Sequence, residues 1–218
     1  MTSPVVTGNV VTGAVVSSTV EPQTQRSRAK ADRRQAMLDA AARLFAAHGF
    51  NGVSIEDIGG AAGVSGPAVY RHFSGKQGVL AALLVDASEN LFTGGRAVVE
   101  NAPDGAKALR PLIRFHAEFA LSNPDVIRVQ DRDLASLADS DLHAVRTLQR
   151  RYVELWVRVL GDRQPDEDTA VLRMRAHATF GLLNSTPHSS SQALPRATMQ
   201  RELERMAWAS LSWAHRTR

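Results

Sequence analysis

Apolar residues recur three and four apart through most of this 218-residue chain, and no stretch alternates apolar with polar in the two-residue rhythm of a half-buried strand. A chain with that single period buries its apolar surface only by packing helix on helix. An all-α fold is therefore expected. With 44% apolar residues there is enough material for a real core, in one large domain or two small ones.

The helices can be placed in turn. Leu38, Ala41, Ala42 and Phe45 mark a first helix over about 30–48, stopped by His48 and Gly49. Ser54 and Asp57 form a capping-box pattern ahead of a short second helix that sets Ile55, Ile58 and Ala62 on one face. Its tandem Gly59-Gly60 costs about 1 kcal/mol per residue relative to alanine, so neighbouring helices must hold it. Ser65 opens a third helix with Gly66 and Pro67 in its first turn and Val69 and Phe73 as inward anchors, ending near Phe73. Ser74 with Gln77 predicts a second capping box, followed by a long fourth helix that stops at Thr93 before Gly94-Gly95. Five more helices follow, over about 104–121, 124–137, 141–160, 165–183 and 195–215, for about nine in all. Pro111 predicts a kink in the fifth, and 184–195 reads as a polar loop.

Residues 1–28 have no helical period and many Gly, Ser and Thr, so a disordered tail is expected there. The spacing of Gly8 and Gly13 imitates a phosphate loop, but Ala14 stands where its lysine belongs. No basic side chain precedes the Val-rich start, unlike a secretory leader, and no apolar run reaches the roughly 18 residues of a membrane span. With no cysteine in the chain, disulfides, thiolate catalysis and Cys-ligated metal are excluded, and a cytoplasmic protein is expected.

An enzyme would need a reacting constellation, and none is legible. The histidines are scattered without HExxH spacing, and there is no GxSxG elbow. Asp131 with Asp133, and Asp139 with Asp141, stand two apart and diverge around a helix. No catalytic residue, metal site or cofactor is expected.

Charge points elsewhere. Between Arg26 and Lys76 eight bases face four acids, within a chain of net charge +4. The stretch "RSRAKADRR" reads either as a soluble helix start or as an arm that follows a nucleic-acid backbone. In the middle of this region, two short helices joined by Ala62-Gly63-Val64 make a helix-turn-helix, in which the second helix is left outward. Val69 and Phe73 face in, which leaves Tyr70, Arg71 and His72 for a partner.

The segment "VSIEDIGGAAGVSGPAVYRHFSGKQGVL" resembles the DNA-binding segment of TetR-family transcriptional repressors, most closely over 33–84. The resemblance implies an all-α subunit in three parts: the tail at 1–28, a three-helix DNA-binding domain at 29–76, and a helical ligand-binding and dimerising domain at 77–218. It implies that Ser54 meets phosphate, that Ser65, Gly66, Pro67 and Ala68 face base edges, that Tyr70 and His72 lie near backbone phosphates, and that Lys76 binds phosphate. Gly66-Pro67-Ala68 offers no long donor, so specificity would lean on thymine-methyl contacts, on Arg71 and on DNA shape. Each side chain also has a purely structural reading: Tyr70 packing on the fourth helix, His72 filling an interhelical gap, Lys76 solvated, and Ser54, Ser65 and Ser74 serving as caps.

The implied partners are a near-palindromic double-stranded operator, a second copy of the chain, and a small effector that releases the DNA. Leu172, Ala176, Phe180 and Leu183, then Leu203, Met206, Ala207, Leu211 and Trp213, form stripes assigned mostly to the dimer, or alternatively to the monomer core. Candidate effector-lining residues are Phe115, Phe119, Trp156, His177, Phe180 and Asn184, each with packing as its other reading. Arg128, Arg132, Arg150 and Arg151 either attract an acidic ligand or stand solvated. A fatty acid or acyl-CoA is the expected effector. The rival reading is an architectural or interaction module that uses the helix-turn-helix without an effector.

Overall fold

The computed structural model describes residues 25–189 and 194–212. In chain order these form α1 (Gln25–His48), α2 (Ile55–Ala61), α3 (Gly66–Tyr70) and α4 (Lys76–Glu100), then a 3-10 turn (Gly105–Ala108) that runs into α5 (Leu109–Ser122). They continue with α6 (Pro124–Asp133), a second 3-10 turn (Leu134–Ser136), α7 (Asp139–Arg163), α8 (Thr169–Leu183), the single turn α9 (Thr186–Ser189) and α10 (Arg196–Leu211). No strand occurs among the described residues. The expected all-α class holds, with one more short helix than sequence periodicity marks.

Several boundaries differ from expectation, each for a physical reason. The first helix begins at Gln25, inside the segment expected to be tail; residues 1–24, and Trp213 and His215 of the expected last helix, lie outside the described residues. The fourth helix does not stop at Thr93 but runs through Gly94-Gly95 to Glu100. These glycines are contacts, not a terminus. A Cβ on Gly94 would come 2.5 Å from Cζ of Phe115, and one on Gly95 would come 2.5 Å from Cε2 of Tyr152. Their absence lets α5 and α7 press against α4. The tandem Gly59-Gly60 divides in the same way: a Cβ at Gly59 would sit 2.9 Å from the Val64 carbonyl oxygen, whereas at Gly60 it would meet nothing within 4 Å. Pro111 falls in the first turn of α5, after the 3-10 turn, where a missing N–H is tolerated.

Capping follows the sequence only in part. Ser54 and Asp57 make both arms of the box: the Ser54 N–H donates to the Asp57 carboxylate at 2.8 Å and the Asp57 N–H donates to Ser54 Oγ at 3.1 Å. Ser65 occupies the N-cap of α3 without a side-chain bond. The second box, expected of Ser74 and Gln77, does not form: Gly75, at φ 110°, takes the N-cap position of α4. Gln77 instead donates across the molecule to the Ser136 carbonyl at 2.6 Å.

Two apolar cores share α4. The first joins Met37, Phe45, Ile58, Val69, Phe73, Leu80 and Leu84 with Val129 from α6, Leu137 just after the second 3-10 turn and Val145 from α7. The second joins Leu112, Tyr152, Trp156, Leu160, Leu183, Leu203 and Leu211, with Leu91, Phe92, Val98 and Val99 of α4 packed on it. The expected division at 76/77 thus falls at the start of a continuous helix, and residues beyond it complete the core of the head.

Candidate nucleic-acid interface and ligand pocket

The head presents one small face. Gly63, at φ 69° with open space around it, makes the turn that crosses α3 over α2. On α3, Val69 and Phe73 go inward, while Ser65, Pro67, Tyr70 and Arg71 are exposed and Gly66 and His72 are half-buried. Ala68, expected to face base edges, is only 7% exposed: it belongs to the buried side of this five-residue helix, so its methyl is turned from any groove. Tyr70 is 59% exposed, more than any other large apolar side chain among the described residues, so packing on α4 does not account for it. Ser54 Oγ donates to Asp57 Oδ2 at 2.6 Å and accepts from the Asp57 N–H at 3.1 Å, which commits its hydrogen and one of its lone pairs to the cap. Those bonds from Ser54 hold the Asp57 carboxyl below its usual range.

The basic stretch of the sequence becomes the first turns of α1, alongside this face. His72 shows it: burial, then the charges of Lys30, Arg33, Arg71 and Arg34, in that order, lower its pKa from 6.5. Arg34 is committed to Asp86 at 2.6 Å and lies 5.4 Å from the centre of the Phe73 ring. Among the described residues Arg33 bonds only its own helix, at the Ala29 carbonyl. Lys30 and Arg33 are therefore cations near enough to the exposed face to act on His72. Their run was legible, but their position beside α3 required the fold. Lys76, first residue of α4, is half-buried with Nζ 4.6 Å from the centre of the Phe50 ring, which holds the ammonium in place at that helix start.

A cavity of about 220 Å³ lies in the body among α4, α5, α6, α7 and α8, with Gln130 as the α6 contribution. Of the residues expected to line an effector site, His177, Phe180 and Asn184 meet there. Phe115 does not; it packs onto Gly94. Phe119 lines a separate cavity of about 300 Å³ beside Asn90 and Asn123. Trp156 is fully buried, its edge set against the rings of His116, Tyr152 and Phe180. The residues that sequence reasoning missed are His116 and Tyr152, which stack with Phe180 at ring separations of 5.0 to 5.7 Å. Their signal was faint: polar groups on otherwise apolar helix faces.

Hydrogen bonds fix this wall. His116 Nε2–H donates to Asn184 Oδ1 at 3.1 Å, so its Nδ1 is the acceptor for the Tyr152 hydroxyl at 3.2 Å. Burial lowers the His116 pKa to about 4, against a smaller opposing effect of the Asn184 bond, and burial pushes the Tyr152 phenol up. The Trp156 indole N–H lies on the phenol's side without a hydrogen bond of normal geometry. Among the described residues no arginine, lysine or carboxylate lines the cavity. The part of the wall made by His116, Tyr152 and Asn184 is uncharged and able to bond a carbonyl or hydroxyl.

α6 ties this pocket to the head. Arg128 donates to the Pro187 carbonyl of α9 at 2.6 Å, next to the chain turn at Asn184. One turn further along α6, Arg132 pairs with Asp133 at 3.1 Å and donates to the Phe45 and Ala46 carbonyls, closing the C-terminus of α1. Neither guanidinium faces the cavity as a ligand group.

Known proteins match this architecture in both parts. Residues 37–83 match the model of bacterial regulatory proteins of the tetR family, and residues 103–188 that of the tetracyclin repressor-like C-terminal domain; together they span more than half of the chain. The HTH-type transcriptional repressor KstR2 of Rhodococcus jostii (strain RHA1) is 29% identical over 60% of this chain and 65% of its own length. The HTH-type transcriptional activator FasR of Mycolicibacterium smegmatis is 32% identical over 40% of each chain. The match thus spans less than two thirds of either relative. The crystal structure of a TetR-family transcriptional regulator from Bordetella parapertussis superposes with a TM-score of 0.73 at 22% identity, covering 82% of this chain and 93% of that one, and so shares the fold. The chain belongs to the TetR family of bacterial regulatory proteins, a family of regulators and not of enzymes.

Proposed function

We propose that the chain is an effector-responsive transcriptional repressor that binds a near-palindromic operator as a dimer. The observation that carries this reading is the face of α3, where Ser65, Pro67, Tyr70 and Arg71 stand exposed beside Lys30 and Arg33, over a core closed by Val69 and Phe73. Such a face offers cations and hydroxyls to phosphates and few long donors to bases, so positioning dominates and sequence is read by Arg71, Pro67 and duplex shape. Lys76 adds a fixed cation at the start of α4. The matched relatives carry both signs of regulation by name, and the longer match is to the repressor.

Dimerisation rests on the outer flank of the last two long helices, where Met174 of α8 and Met206 of α10 are 57% and 46% exposed. Two heads then lie about one DNA turn apart, roughly 34 to 36 Å.

The effector enters the α4–α8 cavity. The uncharged group of His116, Tyr152 and Asn184 suits a carbonyl or hydroxyl on an otherwise apolar molecule, and the cavity offers a free fatty-acid carboxylate no arginine or lysine, only the His177 imidazole. Of the two expected effectors, the acyl thioester fits that wall better. About 220 Å³ is below the usual lower bound of roughly 300 Å³ for ligand pockets, so a short acyl chain or a single ring fits without rearrangement. Occupation acts on the head through α6, which Arg128 fastens to α9 and Arg132 to the end of α1. The test is selection of bound sequences from random DNA, followed by release assays with short acyl-CoA thioesters. A palindromic winner that binds two chains and is released by a thioester is expected; binding to random sequence alone would favour the architectural reading.

A further inference from the structure

We propose that the groove between α5 and α10 is a second ligand site, for a small phosphorylated organic anion. The groove encloses about 500 Å³, and four guanidinium groups line it: Arg110 and Arg114 from α5, Arg201 and Arg205 from α10. Against them stands one carboxylate, Glu204, which already accepts from Gln200 at 2.9 Å. Arg205 is paired with Glu202 at 2.5 Å. The other three have no carboxylate within ion-pair distance among the described residues; Arg201 donates only to the neutral Thr198 hydroxyl, at 3.1 Å. Charge of one sign is thus gathered in a concave space that the described residues do not themselves neutralise.

The chemistry of the lining defines the class of ligand. Guanidinium forks bind phosphate oxygens in pairs, and several on opposite walls suit more than one phosphate. Trp208 forms one wall, with the Arg110 guanidinium 4.1 Å from its ring centre and that of Arg163 at 4.9 Å, which orients Arg110 before any ligand arrives. Pro111 and Ile113 add apolar surface beside the indole, so the ligand carries an apolar or aromatic part as well as its phosphates. A cavity of this shape fits a nucleotide-sized molecule better than the convex backbone of a duplex.

The site is independent of the operator face and of the dimer. It contains no residue of α1, α2 or α3. On α10, Arg201, Glu204, Arg205 and Trp208 follow helical spacing on one flank, Leu203, Ala207 and Leu211 are the buried stripe, and Met206 lies on the other flank. A dimer formed through the Met206 flank leaves the groove open.

The experiment is calorimetric titration of the full chain with ADP and with inorganic pyrophosphate at physiological salt, on wild type, on an Arg114→Ala/Arg201→Ala double variant and on Lys76→Ala. The expected result is one saturable site per chain, with ADP tighter than pyrophosphate. Affinity should fall about tenfold or more in the double variant and be unchanged in Lys76→Ala. Both arginines of the double variant are exposed, so its helical circular dichroism should match wild type. The proposal is overturned if neither probe binds saturably at millimolar concentration, or if the double variant binds as wild type does. It is equally overturned if Lys76→Ala alone removes binding, which would put the anion on the operator face. Loss of duplex affinity in the double variant without any probe binding would also overturn it, in favour of a nucleic-acid contact.

Discussion

His116 is a base held neutral by its surroundings, and this has a thermodynamic consequence. Its pKa is about 4 in the folded chain and near 6.5 when unfolded. Between those values the unfolded chain binds a proton that the native chain does not, so stability is full above about pH 6.5 and falls as the pH drops toward 4. The shift corresponds to roughly 3 kcal/mol, a large part of a typical domain's stability. Denaturant titrations at pH 7 and pH 5 should show the loss, and His116→Gln should reduce that pH dependence by close to one proton; an unchanged slope would mean that His116 is not buried neutral. This residue also marks how far side-chain roles were legible. The Ser54–Asp57 box is local in sequence and was readable. The partners of His116 lie 36 and 68 residues away, so no local pattern could disclose them. Ala68 lies on the buried side for the reverse reason: in a helix of one turn and a half, a single register step decides between groove and core.

At the scale of elements, glycine carries two opposite meanings, and the same spelling conceals them. Gly59-Gly60 and Gly94-Gly95 look like flaws or stops in a helix. Gly59, Gly94 and Gly95 are instead points where another chain segment comes too near for a Cβ, while Gly60 touches nothing. Substitution separates them. Gly60→Ala should stabilise by about 0.5–1 kcal/mol through helix propensity alone. Gly94→Ala should destabilise by about 1–3 kcal/mol, because Phe115 must leave its position. Thermal melts of the two variants measure this, and equal shifts would contradict the packing account. Helix period placed nearly every element, yet the end of α4 was misread. A stop glycine and a contact glycine differ only in what lies opposite, and that is a tertiary fact. Gln77 likewise left its expected cap for the Ser136 carbonyl, 59 residues on.

At the scale of the molecule, the head and body are joined more closely than a boundary at 76/77 suggests. The head's core includes Val129, Leu137 and Val145, and Arg132 closes the C-terminus of α1 from α6. A change at the cavity that moves α6 thus reaches α1 through hydrogen bonds already present. Family and fold class were legible because helical period and the "AGVS…VYRHF" stretch are local signals. The effector cavity and the arginine groove were not, since residues from several helices converge on each. The central claim is that α3 and the start of α4 grip a duplex, one head per half-site. Its most direct measurement is the salt dependence of duplex affinity for wild type, Lys76→Ala and Arg71→Ala, on the selected operator and on random DNA. For a dimer losing one phosphate contact per head, Lys76→Ala should lower the slope of log K against log salt by about two on both duplexes, while Arg71→Ala should mainly narrow the gap between them. No duplex binding at low salt, or identical losses for both variants on both duplexes, would contradict it.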